Sequence, residues 1–101
     1  MNRAFSFLLI LVFSTLLSPS FAQDATNGKS VYAVCIQWHG EKGEGNPAQK
    51  APKISGQHDW YTIKQITEIK SGVRKNPEML PFVTNLTEQD IKDLAAYILT
   101  L

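Results

Sequence analysis

A single cysteine in 101 residues excludes an internal disulfide. Ligand-type side chains are scarce as well: there are two histidines, His39 and His58, and of the two methionines one is Met1. Nowhere do apolar and polar residues alternate at the period of a strand, and no repeat or low-complexity tract interrupts the chain. Charge of one sign is also missing, since ten Lys and Arg face nine Asp and Glu. A formal charge of +1 sets up no basic field for a nucleic acid.

A long apolar run is lacking too. Phe5 to Leu17 is almost continuously apolar, but about 13 residues fall short of the roughly 20 that a spanning helix needs. Arg3 before it and Ser18-Pro19-Ser20-Phe21-Ala22 after it complete the pattern of a secretory signal peptide, with a cut expected after Ala22. No cysteine stands at that junction to take a lipid, so no membrane anchor is expected after cleavage. The expected division is a signal peptide over 1–22 and one secreted domain over 23–101. Loss of Arg3 brings that domain to nine charges of each sign, a formal charge of zero.

So small a domain builds only a marginal core from its own side chains and usually adds a disulfide, a metal or a cofactor. A lone thiol in an oxidising compartment must be buried, paired or chemically consumed. What is present are helical signals. The first helix is expected from Asp24 to about Trp38, with Asp24, Thr26 and Asn27 as candidate caps and Gly28, Tyr32 and Cys35 on one face. Gly40 to Pro47 reads as a loop, and Ala51 to Gly56 as extended or turning chain. A second helix runs from His58 or Asp59 to Ser71, with Ile63, Ile66, Ile69 and Val73 on its apolar side and Gly72 ending it. Pro77 and Pro81 make Val73 to Asn85 an ordered loop. The last helix opens on Thr87 with a capping-box Asp90, and Ile91, Leu94, Ala95, Ile98 and Leu99 mark its buried stripe. The fold class is all-α, with three main helices and long ordered loops.

The chemistry centres on Cys35-Ile36-Gln37-Trp38-His39. It matches C-x-x-C-H, the haem c attachment pattern of two thioether-forming thiols and an iron-ligating histidine, except that Trp38 replaces the second thiol. Candidate axial ligands are His39, His58 and Met79. A haem bound through Cys35 would consume the thiol and enlarge the core.

The chain resembles the small class I c-type cytochromes of the bacterial periplasm over essentially all of 23–101. The likeness is carried in order by "GKSVYAVC", "HGEKGEGN", "APKISGQHDWYTIKQITEIKSGVRKNP", "MLPF" and "LTEQDIKDLAAYI". It implies the cytochrome c fold around one haem c, held by a single thioether from Cys35 beside Trp38, with His39 and Met79 as axial ligands. It further implies that the carbonyl of Pro52 accepts a hydrogen bond from the proximal imidazole, that Gly28 and Tyr32 meet Leu94 and Tyr97, and that Gln57, Trp60 and Tyr61 lie near the propionates. Without it, Cys35, Trp38 and Met79 read as ordinary core, Trp60 and Tyr61 likewise, and His58 as an exposed helix-start residue.

The function so implied is periplasmic electron transfer, by a non-enzymatic carrier that meets soluble or membrane-bound redox partner proteins as a monomer or as a subunit of a redox complex. Two other classes compete. One is a haem-free or weakly haem-binding accessory subunit of the same fold. The other is a haem subunit of a larger oxidoreductase.

Overall fold

The computed structural model describes residues 4, 6, 8–12 and 22–101. Most of the expected signal peptide, from its n-region to Phe21, lies outside the described residues. Among the described residues no helix is long and apolar enough to cross a membrane.

Asp24 caps the first helix, α1 (Ala25–Tyr32), by accepting from the N–H groups of Thr26 and Asn27. The expected single helix to Trp38 is broken in two. Cys35 N–H bonds to the carbonyl of Tyr32 and Ala33 N–H to that of Ser30, so the pattern tightens from four residues to three. A second turn, α2 (Ile36–His39), follows, and Gly40 ends it at φ 85. The loop behind it carries one short 3-10 turn, Pro47–Gln49, and an isolated bridge between Asn46 and Ala51.

The second main helix, α3 (Asp59–Ser71), closes on Gly72 in the left-handed conformation. That reversal throws Val73 off the apolar face, and it is 75% exposed rather than part of the core. A single turn, α4 (Leu80–Val83), sits in the proline-containing segment. The last helix, α5 (Glu88–Leu99), starts with the full capping box of Thr87 and Asp90. Its stripe of Ile91, Leu94, Ala95 and Ile98 is buried, while Leu99, at the final position, is half exposed.

The described domain is helical, as expected. Its buried cluster joins Tyr32 of α1, Ile66 and Ile69 of α3, Val83 of α4, and Ile91, Leu94 and Ile98 of α5. Helices α1 and α5 approach closely because Gly28 has no side chain. A Cβ there would stand 1.9 Å from the carbonyl oxygen of Asp93 and 2.8 Å from Cβ of Tyr97. Tyr32 and Tyr97 pack beside that crossing with ring centroids 5.4 Å apart.

Candidate functional site

His39 ends α2 and is buried, and its Nδ1 lies 2.8 Å from the carbonyl oxygen of Pro52. A carbonyl only accepts, so Nδ1 carries the proton and donates. Nε2 is then left with its lone pair, the form in which imidazole ligates a metal. Glycines set this pairing. Gly43 accepts from the N–H groups of Ile54 and Ser55, and Gly45 donates to the carbonyl of His39 at 2.8 Å. A Cβ on Gly45 would stand 2.7 Å from the nitrogen of Lys53, so only glycine lets the loop lie against the Pro52 segment. Tyr32 anchors the other side, donating its hydroxyl to Gly40 at 2.6 Å. Burial first, then Cys35 and Glu44, push its phenol pKa up to about 12, so it stays a donor.

Met79 caps α4 and packs half-buried against the core. Its position is set by Asn76, whose side-chain oxygen accepts from Met79 N–H at 3.1 Å and whose carbonyl accepts from Leu80 N–H at 3.0 Å. Two adjoining cavities, of about 140 and 250 Å³, share His39, Pro52, Asn76 and Met79 in their walls. Together they reach the size of a small-molecule cleft, about 300 Å³ and upward. The larger is apolar on one side, through Ile54, Ile66, Ile69 and Ile98, and polar at Gln57, Gln65 and Arg74. Arg74 donates to Gln65 at 3.0 Å there.

Trp38 lines the smaller cavity and meets Phe82 edge-on, with centroids 5.9 Å apart and planes at 65°. Its Nε1 is buried and has no hydrogen-bond partner among the described residues. Cys35 stands outside both cavity walls and packs against the core cluster. Burial there pushes its thiol pKa up to about 11.

The structure therefore brings His39, Pro52, Met79 and Trp38 together and sets Cys35 one turn behind them. Gln57 and Tyr61 line the larger cavity, but Trp60 does not. It is 63% exposed and stacks on exposed His58 at the start of α3. Asn76 and Arg74 were not identified from the sequence. The Asn76-Pro77 pair was the available signal for the first, as a turn initiator ahead of Met79. An imidazole nitrogen and a thioether sulfur on one largely apolar cleft suit iron.

A family model described as "Cytochrome c" matches residues 25–101. The chain belongs to the cytochrome c family. It is 41% identical over 97 residues to a cytochrome c4 of Pseudomonas aeruginosa, covering 96% of this chain and 47% of that protein. It is 34% identical over 79 residues to a cytochrome c-554(548) of Halomonas halodenitrificans, covering 75% of this chain and 94% of that one. A solved cytochrome c4 of Acidithiobacillus ferrooxidans superposes with a TM-score of 0.71 at 31% identity, covering 76% of this chain and 49% of that chain. The chain thus spans about half the length of the cytochrome c4 relatives it matches. The fold is the all-α cytochrome c fold. The family implies haem c as the cofactor, and the cytochrome c4 relatives are electron carriers, not enzymes.

Proposed function

We propose that residues 23–101 form an exported electron carrier that binds one haem c, with His39 and Met79 as axial ligands and Cys35 as the sole thioether. The observation that carries this reading is the convergence of His39, Pro52 and Met79 on one cleft. Bound there, haem supplies one-electron cycling of its iron. The chain does the rest. His39 offers Nε2 because Pro52 holds the proton on Nδ1. Met79 offers a soft sulfur, which favours ferrous iron and raises the potential. The isoleucine wall excludes water, which strengthens charge interactions inside the cleft.

Cys35 would hold the haem by adding its S–H across one vinyl double bond, sulfur to one carbon and hydrogen to the other, a balanced addition that needs no oxidant. No side chain in the cleft is poised as acid or base, and the partners are redox proteins that exchange electrons with the domain. The domain works in the periplasm, as a monomer or within a redox complex.

A pyridine haemochrome spectrum of the protein, expressed with a cytochrome-maturation system, tests this reading. One thioether places the α-band between the positions for two thioethers and for none. Absence of haem sinks the reading. It would favour the haem-free accessory subunit, to which Cys35 packed outside both cavity walls already lends support.

A further inference from the structure

Trp38 is the one residue of the attachment motif that cannot do the motif's chemistry, since indole offers neither a thiol nor a lone pair suited to iron. Its surroundings suggest a different task. It sits on α2 directly before His39, and its ring packs edge-on against Phe82, three residues after Met79 and on α4. Trp38 and Phe82 therefore connect the two turns that carry the candidate axial ligands. These turns have little else in common. His39 is fixed by Pro52, and Met79 by Asn76. Edge-to-face aromatic contacts are directional and stabilise beyond the area they bury.

We propose that Trp38 does by packing what a second thioether does by a bond: as a positioning residue clamped to Phe82, it ties the His39 turn to the Met79 turn and holds the cleft closed on its cofactor. This rests on the haem-binding reading above. The Trp38 side chain also lines the smaller cavity beside His39 and Met79, so the clamp stands in the wall of the cleft it closes.

The test is a double-mutant cycle on the loaded protein, read through the sulfur-to-iron charge-transfer band that reports Met79 ligation. Trp38→Leu keeps apolar bulk without a ring, and Phe82→Leu does the same on the other side. Each is expected to raise the fraction of ferric molecules lacking the band about tenfold, and the pair together no further than either alone. Trp38→Phe, which keeps a ring, is expected to stay within about threefold of wild type. Trp38→Cys restores the second thiol, moves the α-band to the two-thioether position, and makes Met79 ligation insensitive to Phe82→Leu.

Additive losses in the cycle, or a band unchanged in Trp38→Leu, overturn the clamp. If Trp38→Leu does not accumulate, the wild-type protein still decides. The Trp38 indole N–H resonance, identified by its loss in Trp38→Phe, must be displaced by the porphyrin ring current in the ferrous state. An unshifted N–H overturns the proposal. Wild-type protein with no haem would instead overturn the reading on which it rests, so the two failures are distinct.

Discussion

At the residue scale the most constrained side chain is a carboxylate remote from the cleft. Asp93 is 2% exposed and accepts from Asp24 N–H at 2.8 Å, from the Asn27 amide at 2.7 Å and from the Gln89 amide at 2.7 Å. Burial pushes its pKa up, but these three donors outweigh it and hold it below the ordinary 3.8. The folded state therefore binds this proton less readily than the unfolded chain does. The resulting stability is complete above 3.8 and is lost as pH falls through the lower, folded value. Asp93→Asn should cost about 2 kcal/mol at pH 7 and flatten the fall in urea midpoint below pH 4. An unchanged acid slope would show that the carboxylate is not charged in the native state. Cys35 gives the opposite sign. Its thiol, raised from 9.0 to about 11, contributes stability below pH 9 that is lost as pH rises through 11. In folded, haem-free protein at pH 8, iodoacetamide should alkylate it roughly a hundredfold more slowly than in urea.

At the element scale, the close crossing of α1 and α5 and the capping of α5 explain why the frame was legible. Thr87, Asp90 and the apolar stripe of α5 are local signals that tertiary packing does not oppose, and the helix begins and ends where they place it. The same is true of Gly72 and the end of α3. The break after Tyr32 was not legible, because no proline or glycine marks it. It follows from a change of hydrogen-bond pattern that packs Cys35 on the core and turns His39 toward Pro52. Within the cleft, His39 stood out through the attachment pattern and Met79 through its scarcity and the family resemblance, whereas Asn76 and Arg74 belong to it only through the path of the loop. Gly28 is the sharpest test of the crossing. In Gly28→Ala the new Cβ meets backbone, not a flexible side chain, and the cost should be about 3 kcal/mol by chemical denaturation. Lys29→Ala, one position along on the exposed face, should stay within about 0.5 kcal/mol. Equal effects at the two sites would contradict the close approach. Thr87→Ala should cost about 1 kcal/mol through the lost cap.

On the scale of the whole molecule, the buried hydrophobic residues are unevenly placed. All eight among the described residues lie on α1, α3, α4 and α5, and none lies between Gly40 and His58. That segment is held by backbone bonds at Gly43 and Gly45, by the hydrogen bond that His39 donates to the carbonyl of Pro52, and by half-buried Ile54. Segments with few buried apolar contacts open at low free energy. A group bound between His39 and Met79 would therefore add most of its stability to this segment, since α1 and α5 already close on each other through Gly28. Ligand that binds only the folded state raises its stability by mass action. A gain on the order of 3 kcal/mol would raise the melting temperature of a domain this small by about 15 °C. Amide exchange separates this from a uniform effect. In haem-free protein the N–H groups of Gly45, Ile54 and Ser55 should exchange much faster than those of α1 and α5. In loaded protein they should approach the protection of the helices. If haem protected every amide equally, the segment from Gly40 to His58 would already share the cooperative core without its cofactor, and the cleft would be preformed rather than completed on binding.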